Sequence, residues 1–428
     1  MAEHNSGHPG ADPAITVERA ADEERYLATD RLVWFDGEPD LPVAEQLLGV
    51  PPHQRFAADR AGAAAGTYPG IYGVRPLQLA LPAEEGTRPM PCAGLTWVGV
   101  HPDHRRQGVL GAMMRHHLEQ THREGVALSA LHASEPAIYG RYGYGLASVA
   151  TSMSLGRGTT LTAPGLDDEA AALRTELATE TGADLVRRLR ECDLRVATTA
   201  PGMVVGEEDY YAAVVREQPE LLREKERHRF LFAVRDGVDV GHAAFRRTHK
   251  WERNRPSGTV HVLALNATPA AELALLRRLL DLDLVGTVRL PDIGVDDPLH
   301  HWIGPRADTE SVPVDNLWIR IVDLEAALPL RWYADDCEVV VEVADEQLPR
   351  QAGRWRIKVA GGEGRAERTD DSPDLALPVA ALGAIYLGGP SLASLQRAGL
   401  VTEHRRGAVR ELGRAFRTEL APAASVGF

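Results

Sequence analysis

Trp97 to Met114 reads WVGVHPDHRRQGVLGAMM, and the chain changes character twice within it. The run leading in from Cys92, CAGLTWVGV, is apolar and rich in branched and aromatic side chains, so it reads as a buried strand. Pro102 ends its pairing, because proline has no N–H to donate. After the loop Arg105-Arg106-Gln107-Gly108, the residues Leu110, Met113, Met114, His117, Leu118 and Thr121 recur at three- and four-residue spacing, which predicts a helix with one apolar face. Gly125 stops that helix, and Ala127 to Ala133 reads as a second short strand.

A strand, a basic glycine loop and a helix in that order have a chemical use. Where a strand end splays from its neighbour, its free backbone groups can pair with the amides of a pantetheine arm as an added strand would. The helix N-terminus offers unpaired N–H groups and a positive dipole end to a pyrophosphate, and Gly108 lets the phosphate approach the backbone. Arg105 and Arg106 add positive charge there. A lone Arg-Arg pair is ordinarily a solvated surface feature; the flanking strand and helix are what make this one a phosphate loop.

Downstream, Tyr139-Gly140-Arg141-Tyr142-Gly143-Tyr144 follows the strand that ends in ALHAS, close to where that strand delivers side chains to a thioester. An amine attacking an acetyl thioester expels a thiolate that needs a proton, and neutral tyrosine, with a reference pKa of about 10, can supply it. A tyrosine cluster is also a common pocket wall, so pattern alone leaves both roles open. His101 and His104 flank Pro102 just before the proposed loop and His132 lies at the strand end beside Ser134, where a proton relay is conceivable, although lone histidines are more often surface or satisfied core residues.

A chain of 428 residues is too long for one ordinary core, so roughly two to four domains are expected. Apolar residues at 44% and charged residues at 25% exclude a mostly disordered chain. The 47 basic and 61 acidic residues leave a net charge of −14, which repels nucleic acid and attracts cationic small molecules, or simply keeps the protein soluble. Cys92, Cys192 and Cys337 form no CxxC and there is no HExxH, so neither a disulfide framework nor a metal site is expected. Met1 to Ala14 is polar and reads as a disordered N-terminus, and no apolar run approaches the ~20 residues that span a bilayer. A cytoplasmic protein is expected, with export by a route that needs no signal peptide left open.

Three stretches follow the tail: 15–157, 158–305 and 306–428. The second repeats the first more faintly. FLFAVRDGVDVGHAAF (Phe230 to Phe245) reads as a hairpin turning at Asp236-Gly237, GTVHVLAL from Gly258 as a strand, and Pro269 to Leu284 as a helix. Its strand-to-helix loop, Asn266-Ala267-Thr268-Pro269-Ala270-Ala271, lacks the arginines and glycine, so it should keep the packing without the cofactor. In the third stretch NLWIRIVD and CEVVVEVAD read as strands of one sheet, and Leu375 to Tyr386, Ser391 to Ala398 and Ala408 to Leu420 as helices. The small-residue tail Ala421 to Phe428 reads as frayed on sequence alone.

The patterns VxVxxxxRRxG and YxxxG[FY] resemble the GNAT superfamily of acetyltransferases. More narrowly, WVGVHPDHRRQGVLGAMM followed by LHASEPAIYGRYGYG resembles the Eis (enhanced intracellular survival) family of actinobacterial acetyltransferases, most densely from Ala93 to Ala147. The resemblance implies an α/β (α+β) fold: two tandem GNAT-like domains with mixed sheets flanked by helices, then a sterol carrier protein-like domain, assembled as a homo-hexamer. It implies acetyl-CoA as co-substrate, no metal, and a small-molecule amine, aminoglycosides included, as acceptor. It places the backbone of Val98 and Val100 against pantetheine, Arg105, Arg106 and Gly108 at the pyrophosphate, and Ser134 with the cofactor-binding set. Tyr139 matches the general acid, and Phe428 the residue whose α-carboxylate helps deprotonate the amine. Trp34, Phe35, Asp36 and Trp97 are expected to line the amine pocket. Leu110 departs from the Gly or Ala of many superfamily members. Two other readings stand beside this one: an acyltransferase for protein lysines or another metabolite amine, and a lipid-binding or interaction protein with a vestigial first domain.

Overall fold

The computed structural model describes residues 15–35, 42–47, 49–216, 226–304, 309–425 and 427–428. The expected disordered segment 1–14 lies outside them. The first sheet runs β1 (Thr16–Arg19), β2 (Arg55–Asp59), β3 (Gly70–Pro82), β4 (Thr87–Val100), β5 (Leu128–Leu131), β17 (Trp318–Ile321), β6 (Gly145–Leu146), with β9 (Val204–Gly206) also on β3. β4 starts five residues earlier than the apolar run suggests, because its more polar and proline-containing first part pairs with the end of β3 from Thr87 onwards. β4 and β5 are parallel and therefore need a crossover, which the helix Val109–Arg123 supplies. That helix buries Val109, Met113, Met114, His117, Leu118 and Thr121 on the sheet. Burying its methionines and leucine is worth about 1.5–3 kcal/mol each.

The second sheet repeats the order as β8 (Arg174–Leu177), β10 (Arg229–Arg235), β11 (Val238–Thr248), β14 (Gly258–Ala267), β15 (Val285–Gly294), β7 (Val149–Gly156), β16 (Val312–Asp315). Between β11 and β14 lies a small ribbon, β12 (Trp251–Glu252) with β13 (Arg255–Pro256). Asp236 and Gly237 both have positive φ in the β10–β11 turn, as a two-residue hairpin requires. β14 and β15 are the parallel pair, bridged by the helix Pro269–Leu280.

The first and second sheets take strands from beyond their own stretches, β9 and β17 in the first and β7 and β16 in the second. β7, grouped by sequence with the first stretch, pairs with β15 and β16. β17, grouped with the third, lies between β5 and β6, and so shares no sheet with CEVVVEVAD. A short apolar run shows that a strand is buried but not which edge it joins.

The third sheet has the order β20 (Glu363–Arg368), β19 (Gly353–Ala360), β18 (Cys337–Ala344), β21 (Leu375–Pro378), β22 (Thr402–Glu403). Leu375–Pro378 is a strand rather than the start of a helix, since it pairs with β18 ahead of the helix Val379–Ile385. The final helix closes at Ala415, short of Leu420.

This third unit is welded to the first sheet beneath the tyrosine segment. Arg320 of β17 is wholly buried and pairs with Asp345 at 2.6 Å, while its Nε donates to the Tyr142 carbonyl at 3.0 Å. The second Asp345 oxygen accepts the backbone N–H groups of Gln347 and Leu348, so the buried charges are fully partnered. Gly145 sits against the helix Val379–Ile385, where a methyl group would overlap the Ala380 carbonyl oxygen and the Ala384 nitrogen. Gly145→Ala is therefore expected to destabilise the protein by about 1–3 kcal/mol in urea or thermal unfolding. Gly156→Ala, which meets nothing within 4 Å, should leave unfolding nearly unchanged.

Candidate active site

The site begins with a failure of pairing. β4 and β5 are in register only at Ala93 with Ser129 and Gly94 with Ala130, and beyond that they part. On the other side of β4, Gly99 opposes Ile71 and Thr96 opposes Gly73, so an extra residue is accommodated at Trp97 and Val98. Trp97 takes φ 51°, and this bulge re-aims the strand end. A cleft of about 1250 Å³ opens there, with Val98 and Val100 on its β4 wall and Arg105, Arg106 and Gly108 at one end.

The loop is shaped for an anion. Arg106 and Gly108 both adopt left-handed backbone, and Gly108, at φ 84°, precedes the first helical residue, Val109. No side chain caps the helix, which leaves its first N–H groups for a ligand. The space beside Gly108 holds only Ile15 Cδ1, 3.8 Å from where a β-carbon would be. Gln107 braces the loop by donating to the Asp103 carbonyl at 2.8 Å and accepting from Arg60. These residues fit the pantetheine and diphosphate of acetyl-CoA.

A second cleft of about 340 Å³ adjoins the first, and Trp34, Val98, Ser134 and Tyr139 line both. Asp30, Trp97, His132 and Phe428 line the second alone. The three tyrosines of the YGRYGY segment are thereby separated. Tyr144 is fully buried and hydrogen-bonded to Ser129 at 2.7 Å, and Tyr142 lines only the first cleft. Tyr139 stands where the clefts meet. Burial, then the nearby charge of Glu135 and the Tyr142 hydroxyl, pushes its pKa up to about 12, so it holds its proton at neutral pH.

Phe428, nearly 300 residues further along the chain, lies with its ring 4.9 Å from that of His132, nearly perpendicular to it, and against Gly94. Glu135, the other carboxylate near Tyr139, lines the larger cleft only. Of the amine-pocket residues expected from sequence, Trp34 and Trp97 line the smaller cleft, Phe35 lines the larger one and is 94% exposed, and Asp36 lies outside the described residues. Sequence reasoning missed Asp30. Its signal was available, because Asp30 lies four residues before Trp34 and so shares a helix face with it.

Residues 65–147 and 202–321 each match an acetyltransferase (GNAT) domain, and residues 324–425 match a sterol carrier protein domain. An uncharacterised N-acetyltransferase of Streptomyces avermitilis is 38% identical over 80% of this chain and 83% of its own. The N-acetyltransferase Eis of Mycobacterium bovis is 28% identical over 80% and 82%. Eis1 of Mycobacterium abscessus superposes with a TM-score of 0.77 at 27% identity, covering 98% of this chain and all of its own. The chain belongs to the Eis family of GNAT N-acetyltransferases.

The acetyltransferase fold occurs twice in this chain, and the two units differ at the strand-to-helix loop. Among the described residues no helix is long and apolar enough to cross a membrane, and no cluster of three or more histidine, cysteine or carboxylate groups could hold a metal. Calorimetry is expected to show one acetyl-CoA bound per chain. Arg105→Glu with Arg106→Glu should weaken that binding at least about tenfold, since hydrogen bonds to charged groups are worth about 1.5–3 kcal/mol each.

Proposed function

We propose that this acetyltransferase moves the acetyl group of acetyl-CoA to a primary amine of a polyamine-type substrate, aminoglycosides included, with Tyr139 as general acid and the Phe428 carboxylate assisting deprotonation. The observation that carries this reading is the position of Tyr139 on the common wall of a cofactor-shaped cleft and a smaller acidic one. The amine nitrogen attacks the thioester carbon, the C–S bond breaks, and Tyr139 gives its proton to the departing sulfur. The amine loses its own proton on the opposite side, where Phe428 and His132 lie and Glu135 does not. A carboxylate there, ionised at all working pH values, holds the ammonium and draws its proton through water.

Acceptor class follows from charge. The smaller cleft contains Asp30 and Phe428 beside the aromatic faces of Trp34 and Trp97, a setting that favours a cation with several amines. The net charge of −14 would steer such a substrate inward. A panel of aminoglycosides, polyamines and lysine peptides tests the class. Multiply charged amines are expected to be preferred, with kcat/KM falling as salt rises. Preference for neutral monoamines without salt dependence would defeat it.

Tyr139→Phe keeps the ring and removes the proton, and it should lower turnover by about 10²–10⁴-fold while sparing acetyl-CoA affinity. Because the raised pKa keeps the phenol protonated until pH rises towards 12, kcat should show no basic limb from this group below about pH 10. Deleting Phe428, or extending the chain beyond it, should lower kcat and leave acetyl-CoA binding and folding intact.

A further inference from the structure

The second GNAT-like unit keeps the strand, the helix and the parallel pair of the first, and lacks its phosphate loop. By place in the sheet β14 is the counterpart of β4, the strand whose end faces the cofactor cleft. The end of β14 is not idle. Asn266, one residue before that end, is 1% exposed and donates from Nδ2 to Asp193 Oδ1 at 2.7 Å. His242, its register partner on β11, lies 2.7 Å from the same oxygen, and Tyr211 donates to the other at 2.7 Å. A carboxylate accepts only, so Asp193 fixes which way the Asn266 amide points. The amide oxygen is left facing the tail, where it accepts from the Ser425 hydroxyl.

A second asparagine grips the tail one residue earlier. Asn316 accepts from the Ala424 N–H at 2.9 Å and donates to the Ala424 carbonyl at 2.8 Å, as a neighbouring strand would. Its oxygen also accepts from Ser148 at 2.7 Å, which fixes its orientation in turn. Before these, Ala421 N–H donates to Asp296 at 2.7 Å and Ala423 N–H to the Pro201 carbonyl at 3.0 Å. Asp296, Asn266 and the Asp193 group belong to the second stretch, whereas Phe428 is delivered to the first.

We infer that the second unit, at the strand end where the first binds cofactor, serves as the anchor of the C-terminal tail, and that Asn266, Asn316 and Ser425 are positioning residues for Phe428. Only two residues lie between Ser425 and Phe428, so three chain steps give a reach of at most about 11 Å and an error at the anchor is passed directly into the amine cleft. The inference rests on the proposed part played by Phe428 in amine acetylation.

The test is a cycle of Ser425→Ala, Asn266→Ala and the double variant in the full chain, each measured for kcat, acetyl-CoA affinity and unfolding temperature. Ser425→Ala acts from the tail and spares the Asp193 group, so it remains informative if Asn266→Ala folds poorly. Each single variant should lower kcat about two- to tenfold, the worth of one hydrogen bond, with acetyl-CoA affinity unchanged. The double variant should fall no further than the worse single, and Ser425→Thr should recover most of the rate. In a chain lacking Phe428, Ser425→Ala should have no additional effect. A parent-like kcat for Ser425→Ala, where deleting Phe428 does slow turnover, overturns the anchor and leaves the reading of Phe428 standing. Full activity after deletion of Phe428 removes that reading and the anchor with it.

Discussion

The parting of β4 from β5 after Gly94 is the constraint on which the rest of the site depends. In a parallel pair every backbone group beyond the last shared bond must find another partner or meet solvent. Here those groups, from Leu95 to Val100, line a cleft instead of a ladder. The bulge at Trp97 and the left-handed residues at Arg106 and Gly108 carry the same opening round to the helix N-terminus. Backbone donors therefore face the cleft along both strand and helix, and substitution of side chains alone would not erase them.

What surrounds the opening comes from far along the chain. β17 fills the place beside β5, and its Arg320 ties the Tyr142 carbonyl to Asp345 of the third unit. The third unit's helix Val379–Ile385 presses on Gly145. These contacts give the sterol carrier protein-like unit a mechanical part in holding the segment that carries Tyr139, through a buried ion pair whose unpairing would cost about 3–5 kcal/mol. Its own interior is filled around Arg331, whose guanidinium donates to the backbone carbonyls of Trp332, Tyr386 and Phe416 and lies near the rings of Tyr333 and Phe416.

The two acetyltransferase-like units show how fold and site separate. Their sheets share an order, and each stretch lends the other's sheet a strand, the first through β7 and the second through β9. At the equivalent strand-to-helix junction one has Arg105, Arg106 and Gly108 and the other has Asn266 and Pro269. Packing survives that replacement because it depends on the buried faces of helix and sheet. A phosphate site would not, because it needs a left-handed residue next to the helix and positive charge beside it.

Sequence by itself determined the parts whose physics is local. The helix after Gly108 follows from apolar spacing, the hairpin at Asp236-Gly237 from turn chemistry, and the basic loop from its place between a strand and a helix. The family resemblance, not local pattern, singled out Tyr139, and it gave no reason why Tyr139 rather than Tyr142 or Tyr144 stands at the junction. That distinction belongs to burial: Tyr144 is turned into the core towards Ser129, and Tyr142 faces only the larger cleft. Only the tertiary structure decided which sheet Trp318–Ile321 joins, since a four-residue strand whose last three residues are all buried carries no mark of its partner. The tail is the sharpest case. Its small residues have no periodicity and little apolar area, so alone they predict fraying, and what orders them is a set of hydrogen bonds, from the Ala424 backbone to Asn316 and from the Ser425 hydroxyl to Asn266, across more than a hundred residues of chain.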